Sequence, residues 1–269
     1  MSFAPQKKPA VPPSTEPTAS RPPVDPSPFD LPGKGRAAAA LCLHGLTGTP
    51  YEVRSLGEAI SASGIRAVGP ALPGHNETPE RLAATAYTDW LDAARAEFRR
   101  LRAESDSVFI VGLSMGGLLA LAIAEEEPVD ALVVIGTPLV LHHPLSWLIP
   151  LVKYLRPMSP KTRGSDIRDP AARARHVGYR VMPLNSIHEL QRLQRRVRPQ
   201  LARITAPILI AHGMHDRTAS PRDSVEIRDS VSSEICEYLL LAASGHIVPV
   251  DFDGPALAQA VAEFLVRHA

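Results

Sequence analysis

Cysteine, net charge and long apolar runs are scarce in this chain, and each shortage excludes something. There are two cysteines, Cys42 and Cys236, each inside an apolar stretch that reads as a strand. They are too few for a disulfide framework, and no Cys-x-x-Cys pair or Cys/His cluster suggests a metal. Both are read as buried free thiols, and no metal or other cofactor is expected. The formal net charge is +1, so composition offers no basis for a nucleic-acid partner and none is expected. No apolar run reaches the roughly 18 residues of a membrane-spanning helix. Residues 1–33 also lack the apolar core of a signal peptide, so the expected location is cytoplasmic.

Proline is plentiful at the N-terminal end. Prolines at positions 5, 9, 12, 13, 17, 22, 23, 26, 28 and 32 interrupt every helix or strand pattern there, and residues 1–33 read as a disordered, proline-rich tail. From residue 37 the pattern alternates. Strands are expected over 37–43, 65–71, 108–113, 131–135, 207–211 and 235–241. Helices are expected over 50–63, 87–103, 115–126, 221–230 and 255–267. Alternation of this kind implies a mostly parallel sheet with helices on both faces, and the short continuous apolar runs fit strands buried on both sides.

Residues 140–202 break the rhythm. They read as a helical lid inserted between two core segments, 34–139 and 203–269, and emerging where open α/β sheets bind ligands. An apolar helix over 145–155 is interrupted by Pro150, and a second spans 186–197. Trp147, Leu148, Leu151 and Leu155 on the first, with Ile187, Leu190 and Leu193 on the second, are expected to line in part a ligand pocket beneath the lid. The lid is basic: twelve Lys and Arg stand against Asp166, Asp169 and Glu189, a net charge of about +9. This charge either pairs with carboxylates of an acidic core, or attracts anionic substrates or makes weak contact with anionic lipid surfaces.

Gly112-Leu113-Ser114-Met115-Gly116-Gly117 follows the apolar run 108–111 and precedes the Ala/Leu run 118–124. A serine at a sharp strand-to-helix turn is a nucleophile elbow, and the flanking glycines allow the close backbone approach it requires. The serine needs a base, a group that orients the base, and donors for an oxyanion. His246, after the last strand and beside Gly245, is the base. Asp216, at the end of the strand 207–211, is the acid, with Asp251 and Asp253 as alternatives that read better as caps of the closing helix. His212 and His215 read as loop-packing residues, and His44 and His75 as structural hydrogen-bonders. The backbone N–H of Met115 supplies one oxyanion donor. The loop 43–48 supplies the other, from Leu46, with Thr47 second.

The segments LHGLTGTP (43–50), LPGH (72–75), DW (89–90), GLSMGG (112–117), HGMHD (212–216) and SGHIVPVD (244–251) together resemble the α/β-hydrolases, and more narrowly the small bacterial carboxylesterases and monoacylglycerol lipases. The resemblance implies an α/β-hydrolase fold of about six or seven strands with a small helical lid. It implies a serine carboxylesterase for short- or medium-chain acyl esters, monoacylglycerols included, with Ser114, Asp216 and His246 as triad, Leu46 and Met115 as oxyanion donors, and a small-molecule ester as partner. The same triad serves acyl transfer, or amide, lactone or C–C hydrolysis; a ligand-binding protein on this fold would ordinarily lack a triad member. Asn76 departs from the glycine that often follows the Pro-Gly-His turn.

Overall fold

The computed structural model describes residues 24–35, 37–162 and 164–269. Its core is a seven-stranded sheet. The core elements are β1 Phe29–Leu31, β2 Ala38–Leu43, α1 Tyr51–Ala62, β3 Arg66–Gly69, α2 Pro79–Ala83, α3 Tyr87–Glu104, β4 Ser107–Leu113, α4 Met115–Ala124 and β5 Ala131–Ile135. The lid follows, with α5 Ile149–Leu155, β6 Met158–Pro160, α6 Pro170–Arg175, β7 Val181–Pro183 and α7 Leu184–Val197. The core resumes with β8 Ile208–Gly213, α8 Pro221–Ser230, β9 Cys236–Leu241 and α9 Gly254–Val266. The core strands lie in the order β1-β3-β2-β4-β5-β8-β9 and run parallel except β1, which pairs antiparallel with β3; in the lid, β6 and β7 form a separate antiparallel pair.

Two apolar clusters flank the sheet. One joins α3, α4 and α7 to it through Trp90, Phe98, Leu118, Leu193 and Val197; the other joins α1 and α9 through Val53, Leu56, Val261 and Phe264. Every residue of β2, β5 and β8 is buried, as parallel strands covered on both faces must be. Cys42 is a buried free thiol whose pKa burial pushes up to about 12, and Cys236 is free and part-buried.

Two expectations need correction. The tail was expected to run through residue 33, yet Phe29–Leu31 forms the edge strand β1, and buried Phe29 packs beneath α1 and β3; residues 1–23 lie outside the described residues. The helix expected over 145–155, broken at Pro150, is instead a 3₁₀ turn, Ser146–Leu148, leading into α5. Pro150 sits in the first turn of α5, where its missing N–H is no loss, so it opens the helix rather than breaking it.

The Asp-Trp pair at 89–90 locks α3 against the sheet. The Asp89 carboxylate accepts the Ala86 N–H at 2.8 Å, and the Trp90 indole donates to the Pro73 carbonyl at 3.1 Å. Asn76 keeps the left-handed backbone of its turn, φ 58°, a conformation that asparagine tolerates better than most residues.

Candidate active site

Ser114 lies between β4 and α4 with φ 56° and ψ −114°. The elbow is held by its N–H donating to the Ile135 carbonyl of the neighbouring strand at 2.8 Å. Both flanking glycines are required by space. A Cβ on Gly112 would meet the Gly116 carbonyl, and one on Gly116 would meet the carbonyl of Leu43 at the end of β2.

The structure brings the other two expected residues to this point. His246 Nε2 lies 2.9 Å from Ser114 Oγ, and its Nδ1 lies 2.7 Å from Asp216 Oδ2. A carboxylate only accepts, so Nδ1 carries the hydrogen and Nε2 is left bare to receive one from the serine. Asp216 Oδ1 accepts the N–H groups of Thr218 and Ala219, each at 2.8 Å. Burial alone would raise the Asp216 carboxyl, but His246 and His212 hold it well below the ordinary range. Burial likewise disfavours the His246 imidazolium; the charges of Asp216, Asp166 and Glu52 outweigh that and raise its pKa. Gly136, with φ 54°, leaves room for this pair, since a Cβ there would stand 3.3 Å from His246 Nδ1.

Several polar groups escaped sequence reasoning. His212 is no mere loop-packing residue: buried, it places Nε2 3.1 Å from Asp216 Oδ2, a second histidine on the same carboxylate. Asp253 stands at the N-cap position of α9 as expected, although its side chain makes no cap bond; Asp251 does not cap the helix. Asp251 instead accepts the N–H groups of Gly245, Arg168 and Asp169, each at 2.8 Å, and of Phe252 at 2.9 Å. It thereby ties the His246 loop to the lid. Asp253 accepts the Ala243 N–H at 2.8 Å. The carbonyl of Asp166, in the lid, receives the N–H groups of His246 at 3.0 Å and Ile247 at 3.2 Å. The bonds from Asp251 to Arg168 and Asp169, and from the Asp166 carbonyl to His246 and Ile247, join residues about 80 apart in sequence, so no local pattern announces them.

His44 and His75 behave as expected. The Leu72 N–H donates to His44 Nε2 at 3.1 Å, so His44 Nδ1 is the donor to the Gly45 carbonyl at 2.9 Å. Burial lowers the pKa of both, that of His75 to about 3. Leu46 lies in the loop after β2, and among the described residues its N–H makes no hydrogen bond. Met115 opens α4, where the first N–H groups have no partner inside the helix.

A cavity of about 360 Å³ opens over Ser114 and His246. Its apolar wall comes from Pro138, Leu141, Met182, Ile187 and Leu190, so α7 lines it as expected. The helix before it does not. Trp147 is 69% and Leu155 88% exposed, and neither lines the cavity; Leu193 is buried in the core instead.

A family model described as serine aminopeptidase S33 (Hydrolase_4) matches residues 35–253. The chain belongs to this family. It is 30% identical over 233 residues to a thermostable monoacylglycerol lipase of Bacillus sp. (strain H-257), spanning 85% of this chain and 90% of that protein. It is 27% identical over 251 residues to a carboxylesterase of Bacillus subtilis (strain 168), spanning 91% and 98%. Among solved structures, one reported for metagenome-derived lipolytic enzymes superposes with a TM-score of 0.85 at 28% identity, covering 90% of this chain and 98% of that one. The family and these relatives make the chain an α/β-hydrolase, an enzyme of the esterase and lipase kind.

Proposed function

We propose that this enzyme is a serine carboxylesterase that cleaves short- or medium-chain acyl esters, monoacylglycerols among them, through Ser114, His246 and Asp216. The observation that carries the reading is the His246 ring, set between Ser114 Oγ at 2.9 Å and Asp216 Oδ2 at 2.7 Å at the mouth of an apolar cavity. Ser114 Oγ attacks the ester carbonyl while His246 Nε2 takes its proton. The tetrahedral oxyanion is received by the N–H groups of Leu46 and Met115. His246 then returns the proton to the leaving alcohol, the acyl-enzyme remains, and a water activated by the same nitrogen releases the acid. Asp216 keeps the hydrogen on Nδ1 and stabilises the imidazolium.

The test is covalent labelling of Ser114 by a fluorophosphonate, followed by kcat/KM for an acyl-length series of esters. A wild-type protein that is neither labelled nor active on esters would overturn the proposal. An aminoacyl anilide in the same series separates ester from amide hydrolysis, the alternative that the family description raises.

The lid helix α5 and the turn before it supply the second part of the proposal. Trp147, Leu151, Tyr154 and Leu155 are all exposed there, beside Lys153 and Arg156. An apolar cluster with cationic neighbours fits weak contact with an anionic lipid surface, which would bring the cavity to its substrate.

A further inference from the structure

The cavity holds a second hydrogen-bonded chain that the triad does not use. Glu52, on α1, is buried and accepts the Gly45 N–H through Oε2 at 3.1 Å. Its Oε1 lies 2.9 Å from Nε2 of His176, a lid residue, and both side chains are 4% exposed. His176 Nδ1 lies 2.7 Å from Ser165 Oγ, also in the lid. With a carboxylate on Nε2, that nitrogen donates and Nδ1 accepts from the serine.

Other lid residues grip the same core loop. The Tyr179 N–H donates to the Thr47 carbonyl at 3.0 Å, and Lys161 Nζ donates to Thr47 Oγ1. Thr47 sits in the left-handed region at φ 65°, a conformation that a threonine keeps only when its surroundings impose it. A Cβ on Gly48 would collide with the Glu52 carboxylate. The residue enclosed by these contacts is Leu46. Burial opposes ionisation of Glu52, but His176, His44 and the Gly45 N–H more than offset it and lower its pKa, so it meets Gly45 as a carboxylate.

An oxyanion donor is effective only if it is already aimed when charge develops, and small misplacements are costly. We infer that Glu52 and His176 are positioning residues that clamp the 44–48 loop from the lid side, so that the lid is a working part of the oxyanion hole as well as the wall of the acyl pocket. The inference rests on the proposed roles of Ser114 and Leu46.

The test uses the full chain as wild type, Glu52→Ala, Glu52→Gln and His176→Ala. Active sites are titrated with the fluorophosphonate, so that kcat is expressed per labelled Ser114. A trifluoromethyl ketone of matching acyl length reports affinity for a tetrahedral oxyanion. For Glu52→Ala and His176→Ala, kcat should fall roughly 10- to 100-fold and ketone affinity by a similar factor, with KM changed less than about threefold. Glu52→Gln should stay within about fivefold of wild type, because the glutamine carbonyl accepts the Gly45 N–H while its amide donates to His176 and the chain reverses direction. Should Glu52→Ala yield no folded protein, His176→Ala carries the same comparison from the lid. Unchanged kcat per labelled site, or a loss confined to KM with ketone affinity intact, would overturn the inference and leave the esterase reading standing. Failure of the wild type to label would overturn both.

Discussion

Ser114 occupies a backbone conformation that costs on the order of 1–3 kcal/mol for a residue with a side chain. The strain is held by the buried strand before it and the buried helix after it, and its result is a hydroxyl aimed at His246. Ser114→Ala should keep the fold and lower ester turnover by ~10⁴-fold or more, because it removes only the hydroxyl proposed as nucleophile. A folded variant with near-normal turnover would contradict the assignment. Asp216→Asn should also cost ~10⁴-fold in turnover with little effect on KM, since an amide no longer enforces the Nδ1–H tautomer. Greater damage from Asp251→Asn would point to Asp251 instead, although Asp251 already accepts four backbone N–H groups. The pKa of His246 is raised, and the base must be neutral. The rising limb of kcat/KM against pH should therefore have its midpoint above the ordinary histidine value of about 6.5. The stability linkage has the opposite sign. The contribution from charged His246 is fully present below the unfolded pKa and fades as pH rises through the folded one, so activity grows where this stabilisation is lost. Midpoints at or below the ordinary value, in the rate profile of the wild type, would contradict the coupling to Asp216.

At the scale of elements, β2, β4 and β5 were legible because continuous apolar runs bounded by turn residues leave little choice of structure, and their ends carry the site. β1 was not, because its three residues lie between Pro28 and Pro32 and contribute one buried side chain, Phe29. Periodicity identified the apolar faces of both lid helices but not what covers them. α7 buries its face against the core and the cavity, whereas α5 leaves its face open. Ser114, Asp216 and His246 stood at strand ends in sequence motifs; Glu52, Asp166 and Asp251 meet partners in the lid or across loops that only the fold brings close. The two lid helices should accordingly differ in function. Each methylene buried in the acyl pocket is worth about 0.8 kcal/mol, or about fourfold in kcat/KM. Leu190→Ala should move the preferred acyl length upward by deepening the cavity, while Leu155→Ser should leave the profile on monomeric esters unchanged. Identical acyl-length profiles for wild type and Leu190→Ala would reject α7 as the specificity element.

Across the whole molecule the charge is divided: the lid carries a net charge of about +9 while the chain carries +1. Part of that division is a bond between lid and core. Arg196 reaches Glu125 and Glu126 just past the end of the elbow helix, Arg198 pairs with Glu226, and the core residue Arg217 pairs with Asp166 in the lid. Arg156, Arg173 and Arg180 are exposed and have no ion pair among the described residues. They share the lid with the exposed Trp147, Leu151, Tyr154 and Leu155. A cation near an anionic membrane contributes about 1 kcal/mol, and partial burial of three large apolar side chains adds a few kcal/mol more. Sedimentation with vesicles of mixed anionic and zwitterionic lipid should therefore carry the wild type down at low salt and less at high salt. Substituting Trp147, Leu151 and Leu155 together by serine should weaken that partition by roughly 10- to 100-fold, while hydrolysis of a short monomeric ester continues at the wild-type rate. Equal partition of the two proteins, or no binding by the wild type at low salt, would show that this exposed cluster serves something other than a lipid surface.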